Sequence, residues 1–474
     1  MEKLKLFVEN FLIYGLGGVI SKLIPFVMIP IVTRLMPSTE YFGIGDLSAT
    51  VVSFGSAFAI MGMYDAMYRM FFEKEEVAFQ KRVCSTALVF TLCTSLVVFL
   101  LMVLLRETIA FYFFSDAQYA YVVYLSAMAT LVGGTNAIIS APTRMQNKRK
   151  LFLIANTVGP LLSYSVAIPM LLAGYYVIAL PLASVVSGVT VELSFGILNR
   201  KWFNVTFFDN VLLKELLIIA IPLFPNFLIY WLFNSCDKVM ITNMIGIGAA
   251  GVYSVGSKLG HASQLIYTAF AGGWQYFAFS TMKEENQVKF NSLVFEYLGI
   301  ISFVATAFVC AFSYYIFCFL FTKEYLPAYV IAPYLFLAPL LLMLFQVAAN
   351  QFLIIKKTWP NMFILTVGAM LNIFLNYLLI PVIGIEGAAI ATLLGYVVTD
   401  IILVLVMLKI KMIVMSSRFL FASLLMIMYF IIWRLFVPTD ALIGTAMAVA
   451  FLVMMLFLYK EEVRMIIALM KINR

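Results

Sequence analysis

Three lysines and a handful of polar side chains set inside apolar runs define the chemistry open to this chain. From Pro222 to Trp274, two apolar spans meet at a short glycine-rich turn, Gly246 to Gly251. In the first span Asn226, Tyr230, Asn234 and Lys238 follow one another at intervals of four, which places them on one helical face. In the second, Ser254, Lys258, His261, Gln264 and Thr268 lie close to one face. Lys22 stands in the middle of an apolar run near the N-terminus, with Arg34 beyond it, and Asp46, Thr50 and Ser53 share a face of the following run. An ionised side chain at the centre of a bilayer costs about 2.5–3.5 kcal/mol unless it faces protein or water. The pattern therefore predicts a polar cavity. Ammonium and guanidinium groups suit phosphate oxygens. Lys22, Lys238, Lys258 and Arg34, with Asn226, Tyr230 and Asn234 beside them, are the expected contacts for an anionic substrate. Asp46, Asp237 and the single histidine, His261, are the candidates for binding a coupling proton or cation. The competing reading is internal neutralisation, with Lys238 beside Asp237 and Lys258 paired to Asp46 or Asp237. Glu192 and Asp400 are expected near the inner surface as solvated carboxylates.

The elements that must carry these residues are membrane helices. Of 474 residues, 64% are hydrophobic and 11% charged, and the mean hydropathy is +1.04. A helix needs about 20 apolar residues to span a bilayer. About fourteen such helices are expected, near 8–33, 41–63, 83–105, 119–141, 151–173, 176–198, 216–242, 249–273, 292–315, 327–350, 360–380, 386–408, 415–436 and 440–459. The first is read as a retained helix rather than a cleaved signal peptide. The five cysteines lie in or beside apolar spans and read as small hydrophobic residues, not disulfide pairs. Glu73–Arg82 reads as a short surface helix, and the basic C-terminal segment from Tyr459 as an amphipathic helix on the inner leaflet. The charge of +8 follows orientation: 24 of the 31 Lys and Arg fall at the termini and in the connections after even-numbered helices. That bias predicts both termini in the cytoplasm.

The chain also repeats at a lag of about 208 residues. Lys148-Arg149 returns as Lys356-Lys357, and Glu192 as Asp400. Thr33, Met36-Pro37 and Gly43 match Thr242, Ile245-Gly246 and Gly251 with one gap. Two six-helix copies in the same orientation are expected, a parallel repeat of the kind that houses transport sites. The expected divisions are 1–210 for helices 1–6, 211–411 for helices 7–12, and 412–474 for two added helices and a tail. Prolines Pro25 and Pro30 in helix 1, and Pro222 and Pro225 in helix 7, suggest bends at equivalent places. Enzyme signatures are missing: there is no GxxxxGK[ST], no GxSxG and no His/Cys spacing for a metal. Transport is expected, not catalysis.

The opening NFLIYGLGGVISKLIPFVMIPIVTRLMPSTEYFGIGDL resembles the start of bacterial polysaccharide-export flippases. IGIGAAGVYSVGSKLG resembles their turn between helices seven and eight. The whole chain is similar to the oligosaccharide-lipid flippases (Wzx type) of the multidrug/oligosaccharidyl-lipid/polysaccharide exporter (MOP) superfamily. The resemblance implies an all-α polytopic membrane protein with two pseudo-symmetric six-helix lobes in a V and two C-terminal helices. Its cavity would open alternately to each side. It implies export of undecaprenyl-diphosphate-linked oligosaccharide units for O-antigen, capsule or another surface glycan. Basic cavity residues handle substrate in that family, and Lys22 and Lys258 match that type. No cofactor is implied beyond a coupling H+ or Na+. The implied partners are the lipid-linked substrate, membrane lipids and the polymerase machinery, with no nucleic acid. A monomer in the bacterial plasma membrane is expected. The alternative is a cation-coupled multidrug antiporter of the same superfamily, disfavoured by fourteen spans and a basic cavity.

Overall fold

Helix α1 (Leu23–Leu35) opens a computed structural model that describes residues 23–267, 270, 274, 286–354, 359–462 and 464. Lys22, Thr268, Lys356-Lys357 and the segment after 464 lie outside the described residues, as do parts of the expected helices 1 and 8. There follow α2 (Thr39–Ile60), α3 (Met63–Phe71), α4 (Val77–Leu104), α5 (Arg106–Phe114), α6 (Ala120–Met145), α7 (Arg149–Leu172), α8 (Tyr176–Asn199), α9 (Asn210–Met244) and α10 (Ile247–Gly260). Beyond them come α11 (Gln287–Leu320), α12 (Ile331–Ile354), α13 (Trp359–Ile383), α14 (Ile385–Lys409), α15 (Ser417–Phe436) and α16 (Ala441–Leu458). No strand occurs among the described residues. Each of the fourteen expected spans meets a helix, and eleven stretches of described residues are long and apolar enough to cross a membrane. This is a polytopic all-α membrane protein. Large apolar side chains such as Leu100, Leu104, Phe363, Met370 and Phe374 are exposed on helix faces, where acyl chains would meet them.

Two short helices were not expected. At Met61 and Gly62 the backbone turns left-handed (φ 46° and 77°), ending α2 and starting α3. Only glycine fits the second position, because a Cβ there would stand 2.5 Å from the Ala220 carbonyl oxygen. Helix α3 buries Met63, Ala66, Met67, Met70 and Phe71 against α4, α6 and the start of α9. The surface helix expected over Glu73–Arg82 is absent: the chain is non-helical at 74–76, and α4 already begins at Val77. The mixed charges there mark a connection, while the apolar spacing that makes a helix lies one segment earlier. Helix α5 is the second addition. It folds Ala110 and Phe114 into a core with Ile44, Leu47, Val51, Val122 and Val123.

The chain divides into two compact units. The first comprises Met1–Ser254 and Asn376–Ile385. At its centre α6 packs on α2, α4 and α8. Hydroxyl pairs tie the helices where apolar contact alone cannot fix register: Ser48 with Ser126 at 2.8 Å, and Thr94 donating to the Ala59 carbonyl at 2.6 Å. Helix α9 starts on the Asp209 cap, whose carboxylate accepts from the Val211 and Leu212 amides. It then runs unbroken through Pro222 and Pro225 for 35 residues. It lies antiparallel to α2, shown by a ladder of contacts from Lys238–Asp46 through Trp231–Ser53 and Phe224–Phe58 to Ala220–Gly62.

Helices α2 and α10 meet in the same unit at a reciprocal crossing. A Cβ on Gly43 would stand 2.5 Å from the Ile247 carbonyl oxygen, and one on Gly251 would collide with the Thr39 carbonyl oxygen. Each would also stand 3.1 Å from the other glycine's nitrogen. Thr39 and Ile247, like Gly43 and Gly251, are separated by the sequence lag of 208. Residue i meets the counterpart of j, and j meets the counterpart of i, which is the signature of a local two-fold. The glycine match of the repeat therefore has a spatial meaning.

The second unit comprises Val255–Leu375 and Glu386–Arg474. Helix α11 packs on α12 and α16. The C-terminal pair is tied down by polar anchors. Buried Glu296 accepts from the Ser416 amide (2.8 Å), the Ser416 hydroxyl (2.7 Å) and the Tyr459 hydroxyl (3.3 Å). Arg434 holds Glu386 through two bonds of 2.6 and 2.8 Å, and Tyr334 donates to the same carboxylate. Of the cysteines, Cys84, Cys236 and Cys310 are buried and Cys93 and Cys318 exposed, all as free thiols.

Candidate functional site

The polar stripes of α2 and α9 face each other in the first unit. On α2, the Thr50 hydroxyl returns to the Asp46 carbonyl and the Ser53 hydroxyl to the Thr50 carbonyl, so the stripe satisfies part of its own hydrogen bonding. The antiparallel register then brings the Lys238 ammonium to 2.6 Å from the Asp46 carboxylate. The side chains are 14% and 3% exposed, so this is an ion pair largely withdrawn from solvent. Internal neutralisation therefore joins Lys238 to Asp46, not to its chain neighbour Asp237. Successive helical residues point about 100° apart and do not face each other.

Asp237 has a different set of partners. Its carboxylate accepts from the Tyr253 hydroxyl at 2.6 Å and from the Asn376 amide at 2.7 Å, with the Cys236 thiol at 3.7 Å. Asp237, Tyr253 and Asn376 are all buried. Asp46, Lys238 and Asp237 together bring two carboxylates and one ammonium into a largely buried cluster. Tyr253 lies in the glycine-rich turn segment the sequence had singled out. Asn376 follows Asn372 by four residues in the apolar helix α13, a spacing the sequence reading did not use, and folding shows which acid it meets.

One to two turns along α9 from Lys238, a cavity of about 340 Å³ opens between α9 and α2. Ser53, Ser56, Tyr230, Trp231, Asn234 and Ser235 supply its polar lining. Trp231 donates its indole N–H to the Ser53 hydroxyl at 3.1 Å, and Asn234 donates to the Tyr230 carbonyl at 2.7 Å. Tyr230 and Asn234 thus line a cavity, as expected, whereas Asn226 is not among its lining residues. Trp231, Ser235 and Ser56 were missed: Trp231 and Ser235 each lie one residue off the four-residue stripe of α9, and Ser56 lies on α2, a turn beyond Ser53. Indole, phenol, amide and hydroxyl groups beside an aromatic wall present donors, acceptors and a flat apolar face together.

Arg34 is exposed near the end of α1. Lys258 and His261 belong to the second unit. Lys258 is exposed, and the His261 ring nitrogen Nδ1 lies 3.0 Å from the Ser257 hydroxyl. Of the two carboxylates expected to be solvated, Glu192 is half-buried and accepts from the Thr135 hydroxyl at 2.5 Å. Asp400 is buried, contrary to that expectation, because it falls on the face of α14 that also buries Tyr396, Thr399, Leu403 and Met407.

Comparison with known proteins adds the following. Residues 31–330 match the family described as "Polysaccharide biosynthesis protein". No curated protein sequence matches the chain. The structure of the lipid II flippase MurJ in an inward closed conformation is similar with a TM-score of 0.70 at 15% identity, covering 95% of this chain and 100% of that one. An inward-facing multidrug resistance MATE family transporter of the MOP superfamily follows at 0.64 and 14%, covering 83% and 98%. A MOP superfamily transporter from Pyrococcus furiosus gives 0.57 and 13%, covering 86% and 95%. At these identities the likeness is one of fold, and that fold is the one shared by MOP superfamily transporters.

Proposed function

Because this chain belongs to the polysaccharide biosynthesis protein family, we propose that it is a flippase for undecaprenyl-diphosphate-linked oligosaccharides. It carries them from the cytoplasmic to the outer leaflet by alternating access and supplies a surface polysaccharide. The family match over residues 31–330 carries this reading. One protein of the same fold is a lipid II flippase, which lends it support. The cavity of Ser53, Ser56, Tyr230, Trp231 and Asn234 suits sugar, whose hydroxyls pair with amides and hydroxyls while its C–H face lies on an aromatic ring. Lys258 and Arg34, both exposed, are the candidate diphosphate contacts, and Lys22 belongs with them by its sequence position.

Lys238 takes another role in this reading. Its charge is already engaged by Asp46, so the pair serves cation coupling together with Asp237. The coupling ion in this reading is H+ or Na+, taken up beside these buried carboxylates. The protein works as a monomer in a bacterial plasma membrane, both termini cytoplasmic, next to the polysaccharide polymerase machinery.

The test is reconstitution into proteoliposomes with an undecaprenyl-diphosphate oligosaccharide, outer-leaflet exposure being read with an impermeant lectin. Wild type moves the lipid, and Lys258→Gln and Asn234→Ala slow it. Failure to move any of several such lipids, with cation-driven uptake of a fluorescent drug instead, would replace the flippase by a multidrug antiporter.

A further inference from the structure

Among the described residues, Asp400 is the one buried carboxylate of the second unit without a hydrogen-bond partner. It lies on α14, nine residues before Lys409 at the helix end, and is 9% exposed. Neither carboxylate oxygen has a hydrogen-bond partner. Its repeat counterpart Glu192 accepts from Thr135 on α6. The same lag of 208 carries Thr135 to Met343 on α12, which is buried and has no hydroxyl to donate. The second copy has the acid without the donor, and buries it more deeply.

Among the described residues, the titratable groups of α14 and of the helices bonded to it can be followed one by one. Tyr396 is buried one turn earlier on the same helix. Glu386, near the start of α14, is occupied by Arg434 of α15 and Tyr334 of α12, fourteen residues or about 21 Å along the helix from Asp400. Lys409 is exposed about 13 Å in the other direction. Helix α13 reaches α14 through the neutral Asn372–Thr392 bond. No cation among them is placed to balance a carboxylate at Asp400.

An ionised carboxylate without partners in an apolar interior is far less stable than the neutral acid, so the group holds its proton instead. We propose that Asp400 is a proton-binding site, occupied by H+ in this conformation, whose release and reloading couple the transport cycle to the proton gradient. When a cycle step admits water to α14, the O–H bond breaks heterolytically. The proton leaves on water as hydronium, and the carboxylate remains until a proton returns. The coupling role rests on the transporter reading above; the protonated state does not.

The test is infrared spectroscopy of the purified full-length protein in nanodiscs at neutral pH, with no substrate. A carbonyl band of a protonated, weakly hydrogen-bonded carboxylic acid is expected. It should be lost in Asp400→Asn and retained, shifted, in Asp400→Glu, which also shows whether the site tolerates substitution. A band unchanged in Asp400→Asn overturns the proposal. In proteoliposomes, flipping by Asp400→Asn should respond less to an imposed pH gradient than wild type does; a response equal to that of wild type overturns the coupling role. If wild type moves no lipid-linked sugar while the band behaves as expected, the flippase reading falls and the proton site stands.

Discussion

Breaking the Asp46–Lys238 pair tests the register of α2 against α9 and the dryness of their interface together. At 2.6 Å and an effective dielectric of about 20, the gross attraction is about 6 kcal/mol. Desolvation of the two ions offsets most of it, so the pair contributes little net stability relative to an apolar substitute. Removing one partner is different, because it strands the other charge: about 3–5 kcal/mol is lost. Asp46→Asn and Lys238→Met should each cost that amount. The double variant should cost clearly less than the sum, leaving a coupling energy of roughly 2–4 kcal/mol between the sites. The assay is reversible unfolding in mixed micelles with increasing denaturing detergent, followed by circular dichroism for all four proteins. Two results would refute the reasoning. Single variants within about 0.5 kcal/mol of wild type would mean that water screens the pair. Strictly additive losses would mean that Asp46 and Lys238 do not meet.

Two further outcomes follow from the packing. Gly43→Ala and Gly251→Ala push a methyl group into a backbone carbonyl that no rotamer change can move aside, so each should cost about 1–3 kcal/mol despite alanine's better helix propensity. The two losses should be alike if the crossing is reciprocal; a neutral variant at either site, measured in the same unfolding assay, would contradict it. Glu296→Leu removes the acceptor of three hydrogen bonds and leaves the Ser416 and Tyr459 groups without their partner, at about 2–4 kcal/mol. Limited proteolysis at the 410–416 connection should become faster in that variant, while unchanged cleavage would show that the anchor does not hold α15.

The membrane class, the placement of the long helices and the glycine match of the internal repeat were legible in the residues. The cause is local: a span is set by bilayer thickness and by the need to close every backbone hydrogen bond within the segment, and both leave their mark as runs of apolar residues. The short helices α3 and α5 escaped that reading because nine residues cannot span anything, and their burial depends on neighbours. The stripe on α9 identified Tyr230, Asn234 and Lys238, since spacing of four fixes a helical face whatever packs against it. What faces that stripe is a property of two helices, not one. The pairing of Lys238 with Asp46, the capture of Asp237 by Tyr253 and Asn376, and the solitude of Asp400 all depend on register between segments far apart in the chain. A sequence shows that a charge lies within an apolar run. Only the tertiary structure decides whether it meets a partner there, because electrostatic energy in a low dielectric depends on separations of a few ångströms that no one-dimensional pattern encodes.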